Sequence, residues 1–153
     1  MRSVDGVAAA TLSLDDADIT RSVALLSKLQ PLHAETGAVH AAGFYIPGQG
    51  IVLAREDVGR HNALDKLAGA LAKAGIDGTT GAVVVTSRVS VEMVQKTAAI
   101  GSAFIIAVSA PTALAIRTAQ GAGMTLVALV RGDDFDIFSH PDRVHFGAAR
   151  HVA

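Results

Sequence analysis

A chain of 153 residues, half of them hydrophobic, is sized for one domain with a substantial core. Its formal net charge of −1 excludes the basic field that nonspecific nucleic-acid binding needs, and no apolar run reaches the ~18 residues of a membrane span. No cysteine is present, which excludes disulfides, thiolate metal sites and cysteine chemistry on these residues; with no signal-like opening, a soluble cytoplasmic protein is expected.

Residues 1–16 are rich in Ala, Ser and Asp without a strong pattern, and a poorly ordered segment is expected there. From Ala17, the apolar residues Ile19, Val23, Leu26 and Leu29 recur every three or four positions. With Asp15, Asp16 or Asp18 as cap, they predict a helix to about residue 32, broken by Thr36-Gly37. Residues 39–46 read as a strand, Pro47-Gly48-Gln49-Gly50 as a turn, and 51–55 as the returning strand of an antiparallel hairpin.

The stretch Ala54-Arg55-Glu56-Asp57-Val58-Gly59-Arg60-His61-Asn62-Ala63-Leu64-Asp65-Lys66 is the most polar in the chain and lies where a strand ends and a helix begins. Beyond it, Ala63-Leu64, Leu67-Ala68, Leu71 and Ala74 repeat at helical spacing. Gly59 lets the backbone turn sharply. The free N–H groups and positive dipole end of the new helix favour an anion, phosphate above all. The alternative is that Asp57, Arg60 and Asp65 only cap the helix and pair with one another.

After a glycine stop at Gly75-Ile76-Asp77-Gly78, strand, polar connection and helix repeat. Strands are predicted at 82–85, 104–108 and 125–130, and helices at 91–100 and 113–120. The connections are Thr86-Ser87-Arg88-Val89-Ser90, Ser109-Ala110-Pro111-Thr112 and Arg131-Gly132-Asp133-Asp134. A short edge segment at 135–138 and a weakly structured tail from residue 144 complete the chain.

Continuous apolar strands alternating with helices predict an α/β fold. Three layers are expected, α/β/α, around a mostly parallel sheet with an N-terminal antiparallel hairpin. Such sheets bind ligands at the C-terminal ends of their strands, which gathers the four polar connections on one edge. The opposite connections are mostly glycine and small residues. Candidate ligand residues are Asp57, Gly59, Arg60, His61, Asn62, Ser87, Arg88, Ser90, Ser109 and Thr112, with the N–H groups of Ser90, Val91 and Glu92 as an anion cradle. Ordinary capping by the hydroxyls is compatible with that reading.

His33-Ala34-Glu35 resembles the zinc signature of deaminases, but the cysteine ligands are missing and the six histidines show no metal spacing, so no metal is expected. His40 reads first as a satisfied half-buried histidine. Neither the Gly-x-Ser-x-Gly elbow nor the P-loop or Gly-x-Gly-x-x-Gly pattern occurs. Two other classes stay open: a nucleotide-phosphate enzyme using Asp57, His61 and a divalent cation, and a non-catalytic docking module acting through helix faces.

His40-Ala41-Ala42-Gly43, the run from Arg55 to Lys66, Ser87-Arg88-Val89-Ser90-Val91-Glu92-Met93-Val94-Gln95-Lys96, Ser109-Ala110-Pro111-Thr112-Ala113-Leu114-Ala115 and residues 131–143 together resemble the FdhD family, the accessory sulfur carriers of formate dehydrogenase. The resemblance covers residues 19–143 and marks 17–143 as an FdhD-like C-terminal domain. It implies a cytidine-deaminase-like fold without zinc and a homodimer. It also implies sulfur received as a persulfide from a cysteine desulfurase and handed to the bis-(molybdopterin guanine dinucleotide) molybdenum cofactor, Mo-bisPGD, which formate dehydrogenase requires. Cofactor binding maps onto Leu129-Val130-Arg131-Gly132-Asp133-Asp134, and GDP is an expected ligand. Arg60, His61 and Arg88 are expected on phosphates, and Asp57 or Asp133 on guanine or beside the arginines; Asp57 and Asp65 are alternatively structural.

The family's sulfur-carrying Cys-x-x-Cys loop precedes the matching region, where this chain has residues 1–16 and no cysteine. No catalytic residue is therefore expected here. The chain is expected to be either the C-terminal domain of a longer protein or a shortened relative that binds without transferring.

Overall fold

The computed structural model describes Val7 and residues 10–29 and 39–146. In chain order the elements are β1 (Leu14–Asp15), α1 (Asp16–Lys28), β2 (His40–Ile46), β3 (Gly50–Asp57), α2 (Arg60–Ala74), β4 (Ala82–Val85), α3 (Val91–Ile100), β5 (Phe104–Ala107), α4 (Ala113–Ala122), β6 (Thr125–Arg131), β7 (Asp134–Ser139) and β8 (Val144–His145). Six of the strands form one sheet in the order β3-β2-β4-β5-β6-β7.

Local chemistry sets the helix limits. Asp15 and Asp18 cap α1 reciprocally: the Asp18 N–H donates to Asp15 at 2.8 Å and the Asp15 N–H to Asp18 at 3.1 Å. Gly75, Gly101 and Gly123 end α2, α3 and α4 in the left-handed conformation that glycine adopts without steric cost. Helix α1 closes at Lys28, short of the expected residue 32; the Thr36-Gly37 break and the His33-Ala34-Glu35 triplet lie outside the described residues.

The expected hairpin is present, with β2 and β3 antiparallel, but the sheet is mixed rather than mostly parallel. Only β4–β5 and β5–β6 run parallel, while β2–β4 and β6–β7 are antiparallel. The reason is that β2 inserts between β3 and β4, pairing Ala42 with both Arg55 and Val85. Burial on both faces makes β2 as apolar as a parallel strand, so its composition carries no sign of its direction.

Right-handed crossovers place α2, α3 and α4 on one face of the sheet. Helix α1 covers the other, and its Leu26 packs so closely that a Cβ on Gly43 would sit 2.8 Å from Leu26 Cδ1. The Tyr45 hydroxyl on that face donates to Asp18 at 2.6 Å. Helix, sheet and helix thus form the three expected layers.

Of the two end segments, residues 1–6, 8–9 and 147–153 lie outside the described residues, and the described part is more regular than the sequence pattern implied. Leu14 and Asp15 pair in parallel with Val144 and His145, and Val7, Leu14 and Val144 are buried. The buried Arg143 donates to the carbonyls of Val7 and Gly123 and to Thr125 Oγ1. Two-residue strands are too short to show a period, so only their distant partners reveal them.

Candidate functional site

Because β3 and β4 both run against β2, the C-terminal ends of β3, β4, β5 and β6 open on one edge. The polar connections predicted to meet there do so, and the turn from β3 into α2 is the most tightly built. Asp57 Oδ1 accepts the Gly59 N–H at 2.9 Å and Asn62 Nδ2 at 3.5 Å, and Asp57 Oδ2 pairs with Lys66 Nζ at 2.8 Å. Lys66 also donates to the Glu56 carbonyl at 3.1 Å. Lys66 first, then the Gly59 N–H, hold the Asp57 carboxyl down at about 2. Both Asp57 oxygens have partners inside the fold and fasten β3 to α2. Asp65 does likewise across α2 and α3, pairing with Lys96 at 2.8 Å.

The arginines differ. Arg60, the first residue of α2, and Arg88, in the β4–α3 connection, are exposed and make no hydrogen bond or ion pair with the described residues. Together with Val89, Ser90 and Thr112 they line a depression of about 220 Å³. Two backbone bonds hold its floor: the Val89 N–H donates to Ala110 O at 3.3 Å and the Thr112 N–H to Val89 O at 3.0 Å. The first turns of α2, α3 and α4 converge there, bringing free N–H groups and positive dipole ends.

The hydroxyls serve the fold. Ser90 caps α3 through the Met93 N–H at 3.4 Å, and Thr112 caps α4 through the Ala115 N–H at 3.0 Å. Ser109 Oγ donates to Thr86 O at 3.3 Å; Ser87 is buried, with its Oγ donating to Arg88 O at 3.1 Å. The Ser87 and Ser109 hydroxyls are thus engaged within the fold and fix the two connections. His61 is half-buried and, with Arg60, lies near the Glu92 carboxylate. That carboxyl is held below its usual range mainly by its own backbone N–H, with smaller help from Ser90, His61 and Arg60. His40 pairs in register with Asp57 at the same edge.

The second lobe is the β6–β7 turn. A bulge follows Ala128, Leu129 takes φ 57°, and the Leu129 N–H reaches Ser109 O at 3.4 Å. A positive φ at leucine is strained, and such strain is held where the surroundings require it. Leu129, Arg131, Asp134, Phe135 and Asp136 line a depression of about 410 Å³, while Gly132 and Asp133 form the exposed turn and Val130 is buried. Among the described residues no group of three or more His, Asp or Glu is placed to hold a metal ion.

The model of the FdhD/NarQ family matches residues 1–145. The chain belongs to that family. Within it, the sulfur carrier protein FdhD of Agrobacterium fabrum is 57% identical over 144 residues, covering 94% of this chain and 53% of that protein. The sulfur carrier protein FdhD of Xanthomonas campestris is 50% identical over 147 residues, covering 95% and 52%. A crystal structure from Desulfotalea psychrophila, assigned as a formate dehydrogenase accessory protein, superposes with a TM-score of 0.82 at 33% identity, over 88% of this chain and 58% of that one. The chain thus spans about half the length of the FdhD relatives it matches.

Within this FdhD-type edge, the sequence pattern brought out the two arginines but not Lys66 as the partner of Asp57, nor Glu56, whose buried Oε2 has no hydrogen-bond partner. Strand alternation alone marks Glu56 as facing away from Asp57, a signal available in the sequence but without meaning until the burial is known.

Proposed function

We propose that this FdhD-type chain binds the guanosine-phosphate part of Mo-bisPGD as its substrate at the strand-end edge, and thereby supports sulfur transfer from a cysteine desulfurase to the cofactor destined for formate dehydrogenase. The carrying observation is the pair of guanidiniums, Arg60 and Arg88, exposed around one depression at converging helix N-termini and without a hydrogen bond or ion pair among the described residues. Guanidiniums whose N–H groups have no acceptor in the fold are the ones that gain from a phosphate. The relatives' names, sulfur carrier and formate dehydrogenase accessory protein, support the sulfur-transfer part. No cysteine of this chain takes the sulfur, so its residues bind and orient. The β6–β7 depression, with Arg131, extends the edge for a ligand longer than one nucleotide. A homodimer, a cytoplasmic setting and the deaminase-like kinship of the fold belong to the same reading, supported by family membership.

A metal-dependent nucleotide enzyme built on Asp57 is disfavoured, because Lys66, Gly59 and Asn62 already occupy that carboxylate. The test is calorimetric titration with GDP. Arg60→Ala and Arg88→Ala should each weaken binding about tenfold or more, the scale of a lost charge-assisted hydrogen bond. Unchanged affinity in both variants, or no binding by the folded chain, would refute the proposal.

A further inference from the structure

Helix α2 turns toward solvent a side that the described fold leaves open. Between α2 and α3 runs a groove of about 380 Å³, lined by Ala68, Leu71, Ile76, Ala99 and Ile100 and bounded by the Asp65–Lys96 ion pair. Next to it along α2, Asp65, Gly69, Ala72 and Lys73 are exposed, and a Cβ built on Gly69 would meet nothing within 4 Å. An apolar recess open to water gains free energy when another surface covers it.

The charges on this side are placed symmetrically. Asp65 stands four positions before Gly69 and Lys73 four positions after it, about one helical turn either way, so the three share one stripe. Asp65 Oδ1 pairs with Lys96 at 2.8 Å, yet the Asp65 side chain stays 56% exposed, and Lys73 makes no ion pair with the described residues. Two such helices packed antiparallel about a two-fold axis at Gly69 set each residue before Gly69 opposite the equally distant one after it. Asp65 then faces the partner's Lys73 at both ends of the contact. Gly69 and Ala72 at the crossing are small enough for the helices to approach closely. Parallel packing would instead set aspartate on aspartate and lysine on lysine.

We infer that this side of α2 binds a second copy of the chain, with Asp65 paired to the partner's Lys73 and the α2–α3 groove closed over by the partner's helix. The inference rests on the homodimer reading above and gives that dimer its surface. The contact is centred nine residues beyond Arg60, about 13 Å along the helix, so it leaves the strand-end depression open.

Sedimentation over a dilution series compares the wild-type chain with Asp65→Lys, Lys73→Glu and Lys28→Glu. The wild type should form a dimer that dissociates on dilution. Asp65→Lys and Lys73→Glu each set like charges face to face at both ends of the contact, and each should raise the dissociation constant about tenfold or more. Lys28→Glu makes the same change of charge on α1, on the other side of the sheet, and should leave it unaltered. An equimolar mixture of Asp65→Lys with Lys73→Glu restores opposite charges at both ends and should associate about as tightly as the wild type, as should the double variant carrying both substitutions. A mixture and a double variant that both stay monomeric overturn the inference. Single variants as tightly dimeric as the wild type overturn it too, and leave a homodimer formed through another surface. A wild-type chain that is monomeric at every concentration overturns the homodimer reading as well.

Discussion

The Asp57 carboxylate and the Lys66 ammonium, nine positions apart, meet at 2.8 Å and fasten the end of β3 to the second turn of α2. The folded-state carboxyl lies at about 2 against an ordinary 3.8, so the pair's contribution is present above about pH 4 and is lost as pH falls towards 2. Urea denaturation followed from pH 5 to 2 should show this loss in the wild type, and Asp57→Asn should show a flatter profile. Equal slopes would mean that the pair does not form in solution.

Tyr45 is the chain's single tyrosine, buried with its hydroxyl on Asp18 at 2.6 Å. Burial first, then the Asp18 hydrogen bond, pushes the phenol up to about 12 from 10.0. Its ultraviolet titration should therefore fall near pH 12 in the folded chain and near 10 in denaturant. The group's folded value is raised, so its contribution to stability is full below pH 10 and lost as pH rises towards 12. Tyr45→Phe should cost about 1 kcal/mol at neutral pH and remove that alkaline dependence.

Two glycines should respond with opposite sign. A Cβ on Gly78 would lie 1.9 Å from the Ile100 carbonyl oxygen, backbone against backbone, so Gly78→Ala should cost about 2 kcal/mol or more. Gly69 is exposed inside α2 with open space around it, and Gly69→Ala should add about 0.5–1 kcal/mol. Chemical denaturation midpoints check both.

Arg143 ties the N-terminal segment to the body of the sheet, donating to Val7 O at 3.0 Å and to Thr125 Oγ1 at 3.2 Å. Arg143→Met should cost roughly 1–3 kcal/mol through the orphaned carbonyls. It should also speed proteolysis near Val7 more than cleavage inside the sheet; uniform acceleration would show that the whole fold, not this tie, had loosened.

Much of this architecture is legible residue by residue. Ile19 and Leu26 at helical spacing, the apolar run Val83-Val84-Val85, Ser90 and Thr112 before their helices and Gly75 after its own each express a backbone period or a local steric rule, which few residues suffice to state. The convergence of polar connections on one edge followed from the same rules, because chain direction in β-α-β units is fixed by handedness. What local pattern does not contain is partnership. The insertion of β2 between β3 and β4, the β1–β8 pair and the capture of Asp57 by Lys66 depend on which distant surfaces bury each other best. Ser87 and Arg88 are equally polar neighbours, yet one is buried and the other exposed. Glu56 and Asp57 are neighbouring carboxylates, yet one lacks a hydrogen bond and the other has three donors. The sequence supplied the reactive groups and the edge that gathers them; the packing of the whole core, which turns successive side chains to opposite faces, decided which groups remain free for a ligand.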